Sequence, residues 1–339
     1  MAKINRFNGN LQAPASAALG TERTIFGAET QSNELTDQFT AELLRGWGII
    51  GPSDEPTLQD FNAMGFTLGQ LHAYLHQVGV AEYNALQEYH VGSFTNRGGV
   101  LYVSLVNNNV GNTPESSPLK WFNPSKTGIV LFATPGVTNW TVPDEMKSGA
   151  VKPFVQVVGG GGGGGGAAAT TAGQLSAAGG GAAGGYSQEY VDLTGVDFVN
   201  VTVGTAGASG VGGVSNGGLG GTTSFGPYLS ATGGNGGFNL APGTSASFGI
   251  GGTLPGVGAN GDINSRGASG LPGLRLTGND GHSGAGGDSF FSGGGSPVYS
   301  QTGGNGGALG SGGSGALSLN GGAAGNGGLG GSGLVVIQW

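Results

Sequence analysis

The sequence predicts a multidomain chain: a short N-terminal helical region, a small β-module, and a β-sandwich with an inserted polyglycine-II helix bundle. Three observations lead there. First, glycine is segregated: of 79 glycines, 63 follow residue 158 and only 16 precede it (79 − 63 = 16), and Gly159 to Gly166 form an unbroken octaglycine. Second, segments of period-2 alternation flank the octaglycine, and a further one, Leu334-Val-Val-Ile-Gln-Trp339, closes the chain after about 130 glycine-rich residues. Third, Phe61, Met64, Leu68, Leu71, Leu75 and Val78 recur at spacings of 3, 4, 3, 4 and 3, the pattern of a helix packing along a seam.

Glycine loses more backbone freedom on ordering than any other residue. A chain so rich in it is either disordered or built so that only glycine fits. Disorder goes with high net charge and low hydrophobicity. Here charged residues make up 9% of the chain, and beyond residue 158 there are two cations, Arg266 and Arg275, and six carboxylates among scattered Val, Leu, Phe and Tyr. With no strict Gly-X-Y period and little proline, collagen is excluded. Glycine repeats in the polyproline-II conformation have three residues per turn and no internal hydrogen bonds, so their N–H and C=O groups must find partners in neighbouring helices. Such neighbours approach closely only where side chains are missing. The segments between runs then become loops at the ends of the bundle: Phe225 and Tyr228; Phe238 and Phe248; Arg266 and Arg275; Asp280 and His282; Phe290, Phe291 and Tyr299. A rigid scaffold presenting variable loops is a recognition design, and these eleven residues are the expected receptor-binding set.

The elements in chain order are as follows. Residues 1–60 read as an extended arm, carrying a helical segment over Leu35–Leu44 that ends at Gly46-Trp47-Gly48. Thr57 and Asp60 have the spacing of a capping box and open a helix within 61–88. Its heptad seam makes it either the core helix of a small domain or a short oligomeric bundle. Residues 89–123 change to short strands and polar turns, with a Tyr89-x-x-Gly92 start, a Gly99-x-x-Tyr102 strand and Pro118 and Trp121 near the close. This segment resembles the small chitin-binding-type β-module, in which Tyr102 and Trp121 serve either as the core or as a glycan contact. Residues 129–339 form the glycine-rich domain, with strands at Ile129–Ala133, Thr138–Val142, Phe154–Val158, Tyr186–Leu193 and Phe198–Val203. The terminal strand is expected beside Phe154–Val158, anchoring both ends of the glycine tract.

Taken in order, these segments resemble a bacteriophage tail fibre. Leu35–Tyr89, with Gly46-Trp47, Pro56, Phe61-Asn62 and Ala73-Tyr-Leu-His-Gln-Val-Gly79, is similar to the virion-proximal part of many such fibres and runs directly into the β-module. Trp140-Thr-Val-Pro143, Val155-Gln-Val-Val-Gly-Gly-Gly and the closing Leu-Val-Val-Ile-Gln-Trp339 resemble the glycine-rich fibre tip. The resemblance implies a homotrimer in the virion tail, attached to baseplate or tail proteins by its N-terminus. It implies binding of a host-cell surface receptor (glycan, lipopolysaccharide, pilus or porin) through tip loops. The alternative is a glycine-rich secreted structural or ice-binding protein.

Several chemistries are set aside. The net charge of −8 argues against nucleic acid. There is no cysteine, no apolar h-region at the start, and no apolar run of the roughly 18 residues a membrane span needs, so assembly in a host cytoplasm without a signal peptide is expected. His72 and His76 are spaced like a zincin pair, but Ala73 stands where the catalytic Glu belongs. Gly213-Val-Ser215-Asn-Gly217 matches a serine-hydrolase elbow without its strand-to-helix setting. Asp280, His282 and Asp288 read as loop polarity rather than as cation ligands. No cofactor, metal or enzyme activity is expected.

Overall fold

The computed structural model describes residues 13–46, 57–213, 215–300 and 304–339, and the chain divides into two compact units, Met1–Ser125 and Lys126–Trp339. It is mostly β-sheet with few helices. Among the described residues no helix is long and apolar enough to cross a membrane.

In the first unit the expected helix over Leu35–Leu44 is two short ones, α1 (Leu35–Gln38) and α2 (Ala41–Arg45). Thr40 separates them because its hydroxyl caps α2, accepting from Leu43 N at 3.1 Å. The next helix, α3 (Leu58–Val78), opens on the expected box. Thr57 Oγ1 accepts from Asp60 N at 3.1 Å, and Asp60 Oδ2 accepts from Thr57 N at 3.2 Å. Burial pushes the Asp60 carboxyl up, but hydrogen bonds from Gly27 N and Thr57 outweigh it and hold the group below its ordinary range. The buried face of α3 carries Ala63, Phe66, Thr67 and Ala73, with the Arg23 guanidinium 3.6 Å above the Phe66 ring. Gly69 belongs there because a Cβ would stand 2.5 Å from Pro14 Cδ. Residues 13–46 therefore lie along α3, not as an extended arm. Trp47, Gly48 and Pro56 fall outside the described residues. Of the heptad seam, Met64 is half-buried, while Phe61, Leu68, Leu71, Leu75 and Val78 are exposed.

The β-module has three antiparallel strands, β1 (Phe94–Arg97), β2 (Val100–Ser104) and β3 (Trp121–Phe122). Its core is aromatic. Trp121 meets Tyr89 edge-on at 5.0 Å, and its indole N–H donates to Asn112 O at 2.8 Å. Tyr102 and Trp121 are both buried in this cluster, so the glycan-contact alternative is corrected: a module this small needs both rings as its interior.

The second unit contains β4 (Ile129–Phe132), β5 (Gly136–Thr141), β6 (Phe154–Val158), β7 (Leu175–Ala177), β8 (Tyr186–Tyr190) and β9 (Phe198–Val203). There follow β10 (Thr223–Phe225), β11 (Leu229–Ala231), β12 (Ser247–Gly249), β13 (Gly258–Ala259), β14 (Ile263–Ser265) and β15 (Gly273–Arg275). The last are β16 (Gly281–His282), β17 (Leu317–Leu319) and β18 (Leu334–Gln338). Two five-stranded antiparallel sheets, β14-β8-β6-β18-β4 and β13-β11-β10-β9-β5, face each other across one core. Val155, Val157, Val335 and Ile337 from the first meet Val199, Val201, Phe225 and Leu229 from the second, all buried. The terminal strand β18 pairs with β6 over its whole length, Leu334 opposite Val158 and Gln338 opposite Phe154.

The glycine runs leave this sandwich and return to it. The run 159–167 has a three-residue cycle of partners. Gly159, Gly162 and Gly165 donate to the carbonyls of Gly185, Ala182 and Gly179. Gly160, Gly163 and Gly166 donate to Gly221, Gly218 and Ser215, while Gly161, Gly164 and Ala167 donate to Gly331, Gly328 and Gly325. These three partner segments run antiparallel to it. Its carbonyls accept from three parallel segments: at Gly207, Gly210 and Gly213; at Gly234 and Gly237; and at Gly313 and Ala316. The donor–acceptor distances of Gly159 to Gly166 are 2.8–3.0 Å. A Cβ on any of these eight residues would lie 1.9–2.6 Å from a backbone carbonyl oxygen of a neighbouring run. At the end of the runs away from the sandwich, β7 pairs with β17, and Leu175, Ala177, Val298 and Leu317 form a second, small core.

A single methyl group should therefore discriminate. In Gly164→Ala the Cβ would meet Ser314 O at 1.9 Å, with no flexible side chain to yield. The substitution should exceed the ~1–3 kcal/mol of ordinary overpacking and lower the melting midpoint by roughly 5 °C or more. Gly306→Ala, whose Cβ would find nothing nearer than 3.7 Å, should shift it by less than about 1 °C by calorimetry.

Candidate functional site: an aromatic row at the far end of the glycine runs

The eleven expected receptor-binding residues separate into two groups at opposite ends of the glycine runs. Phe225, Tyr228, Arg266, Phe290 and Phe291 lie at the sandwich end. Phe225 is corrected outright: it sits in β10, fully buried beneath Trp140, with ring centroids 5.9 Å apart. Tyr228 is half-buried against the same core, and Arg266 is exposed just after β14. Phe290 stacks on Tyr186 at 3.8 Å with planes 11° apart, and Phe291 meets Phe290 edge-on at 5.1 Å.

Phe238, Phe248, Arg275, Asp280, His282 and Tyr299 lie toward the other end, and the structure gathers three of them. The short strands β12, β15 and β16 form a sheet in which Phe248 stands opposite Leu274, and Leu274 opposite His282. Residues directly opposite on antiparallel strands share a face, so these side chains make one row. Tyr299 extends it, its ring 5.4 Å from that of His282. The row is open: Phe248 is 62% and Tyr299 is 70% exposed. Tyr299 is held in place by its neighbour Val298, which is part of the small core and exchanges hydrogen bonds with Ser283 at 2.8 and 2.9 Å. Phe238 is exposed and lies outside the strands, donating its backbone N–H to the carbonyl of Ile250, the residue after β12, at 2.8 Å.

Arg275 is the second correction. Its charge suggested an exposed loop position, but it is buried on the opposite face of β15. Nε donates to Ser245 O at 2.7 Å, and Nη1 donates to Ala241 O at 2.7 Å and to Leu175 O at 2.9 Å. Gly243 leaves room for the guanidinium, since a Cβ there would lie 2.7 Å from Cζ. Arg275 thus ties the carbonyls of Ala241 and Ser245, in irregular chain, and of Leu175, in β7, to the sheet that carries the aromatic row. The Asp280 carbonyl accepts from Leu276 N at 2.9 Å and Thr277 N at 3.1 Å, closing the turn between β15 and β16. Among the described residues no group of three or more His, Asp or Glu is placed to hold a metal ion.

Sequence reasoning missed Leu274, which sits in the middle of the row, and Tyr186, the ring under Phe290. Tyr186 could have been found: its alternation with Gln188 and Tyr190 puts all three on one face of β8. Burial holds its phenol above the ordinary range, against a hydrogen bond from Gln156 Nε2 at 2.5 Å.

The glycine-rich domain family matches residues 133–339, and the chain belongs to that family. No curated protein matches it.

If Arg275 is the brace of this site, Arg275→Met leaves the Ser245 and Ala241 carbonyls unpaired and leaves Leu175 O with Gly243 N as its remaining donor. It should lower stability by about 2–4 kcal/mol. Amide exchange should accelerate in β12, β15 and β16 before it does in β6, as read by hydrogen–deuterium exchange.

Proposed function

We propose that this chain is a receptor-binding tail fibre whose glycine-rich domain is a polyglycine-II bundle, with the row Phe248–Leu274–His282–Tyr299 as its contact surface for a host-cell receptor. The observation that carries the reading is that row: exposed rings on a sheet braced from below by a buried arginine, at the end of a scaffold dense in hydrogen bonds. Pre-positioned aromatic side chains lose little conformational freedom on binding and offer both apolar area and a polar tip. The three-residue cycle of partners supports the polyglycine-II assignment, because a helix of three residues per turn sends successive N–H groups to three different neighbours.

The same reading takes the chain as a homotrimer bound to baseplate or tail proteins through its N-terminal unit. Its support is α3, where Leu68, Leu71, Leu75 and Val78 stand exposed at heptad spacing while the opposite face packs within the chain. Apolar residues repeating at that spacing on an open face suit self-association through knobs-into-holes packing.

Labelled full-length protein should adsorb selectively to some bacterial strains of a panel. The double variant Phe248→Ser, Tyr299→Ser should reduce adsorption at least tenfold at an unchanged melting midpoint. Adsorption equal to that of the wild type would sink the distal row as the receptor surface. For the oligomer, light scattering should give a trimer mass, and Leu71→Asp with Leu75→Asp should reduce it to one chain. A monomer in the unsubstituted protein overturns that part of the reading.

A further inference from the structure

The outward face of the sandwich sheet carries a second surface, independent of the distal row. Along β6 and β8 the side chains turned away from the sandwich core are Phe154, Gln156 and Val158, opposite Tyr190, Gln188 and Tyr186 respectively; of these Val158 and Tyr186 are buried in a second cluster with Leu334 and Val336. Two exposed rings stand over this face, each supported by another ring. Phe290, 58% exposed, lies flat on Tyr186, and Tyr190, 64% exposed, leans on Phe154 at 5.0 Å. Tyr186 and Tyr190 are four residues apart on one strand, which places the two platforms about 13 Å apart.

Between the platforms lie the two glutamines. Gln156 Nε2 donates to the Tyr186 hydroxyl at 2.5 Å, and that hydroxyl donates to Gln188 Oε1. The relay fixes both amides and leaves Gln156 Oε1 as a free acceptor and Gln188 Nε2 as a free donor. Both glutamines are half-buried, within reach of a ligand laid on the sheet. None of the outward positions of β6, β8 or β18 carries a charge. Lys152 and Asp192, which flank β6 and β8 in the sequence, are paired with each other at 3.0 Å.

We propose that this face binds an uncharged oligosaccharide, its sugar rings stacked on Phe290 and Tyr190 and its hydroxyls bonded to Gln156 and Gln188. The C–H faces of pyranose rings pack on flat aromatic rings, and hydroxyls pair with amides that both donate and accept. Lys152, beside Phe154, is already paired with Asp192, so an anionic glycan would find no unpaired cation on these strands. The inference does not rest on the receptor reading above, and would stand if the distal row bound nothing.

The test is calorimetric titration of the full chain with maltohexaose, cellohexaose and a hyaluronan hexasaccharide. Saturable binding of at least one neutral hexasaccharide, and none of hyaluronan, is expected. Phe290→Ala and Tyr190→Ala should each weaken binding at least tenfold, and Gln188→Leu severalfold. Leu254→Ser, at an exposed position outside both surfaces, should leave the titration unchanged. Three results would each overturn the proposal: no saturable binding of either neutral sugar, wild-type affinity in both ring variants, or a fall in oligomer mass in Phe290→Ala, which would show that another copy covers the face.

Discussion

Everything in the second unit depends on backbone groups of one glycine run reaching backbone groups of the next. An N–H···O=C bond between neighbouring chains is worth only about 0.5–1.5 kcal/mol net, and ordering a glycine costs more backbone entropy than ordering any other residue. The architecture holds because the bonds come without gaps: each of Gly159 to Gly166 donates to a neighbour. It can do so only because no Cβ intervenes. The same absence that makes glycine costly to order lets the chains approach to hydrogen-bonding distance on every side. A valine-rich core supplies what the runs cannot, fixing their ends by apolar burial in a sandwich whose closing strand is the last segment of the chain.

That division of labour explains where side chains of interest accumulate. Inside the runs there is no space for them, so aromatic residues are expelled to the two ends. At the far end they need a support that glycine cannot give, and three short strands with a buried arginine beneath them provide it. At the sandwich end the sheet itself is the support, and Tyr186 carries Phe290 as β6 carries Tyr190 through Phe154.

Much of this was legible in the sequence because it rests on strong local patterns. The octaglycine admits few ordered arrangements, the alternation in Phe154–Val158 and Leu334–Gln338 marks paired strands, and Thr57 with Asp60 marks a helix start. What was not legible depends on where the chain returns. Phe225 sits among Gly, Thr and Ser and reads as a loop tip, yet its segment folds back as a strand and the ring completes the core. Arg275 carries a charge that normally seeks water, and only the fold brings the carbonyls of Leu175, Ala241 and Ser245 to it. Strands of two or three residues, such as β15 and β16, are too short for alternation to reveal, so the row through Leu274 is visible only in three dimensions. Tyr102 and Trp121 suit both a binding surface and a miniature core, and the size of the module decides for the core.

The three-residue cycle also constrains how such a chain can change in length. Adding one residue inside a run would hand every later N–H to the wrong neighbour and move each following position out of the slot that only glycine fits. Adding three would restore the order of partners and lengthen the scaffold by one step. Segments beyond the run ends obey no such rule. Insertions and deletions in this protein should therefore be counted in triplets within the runs and in any number at the tips, a kind of reading frame written in the backbone itself.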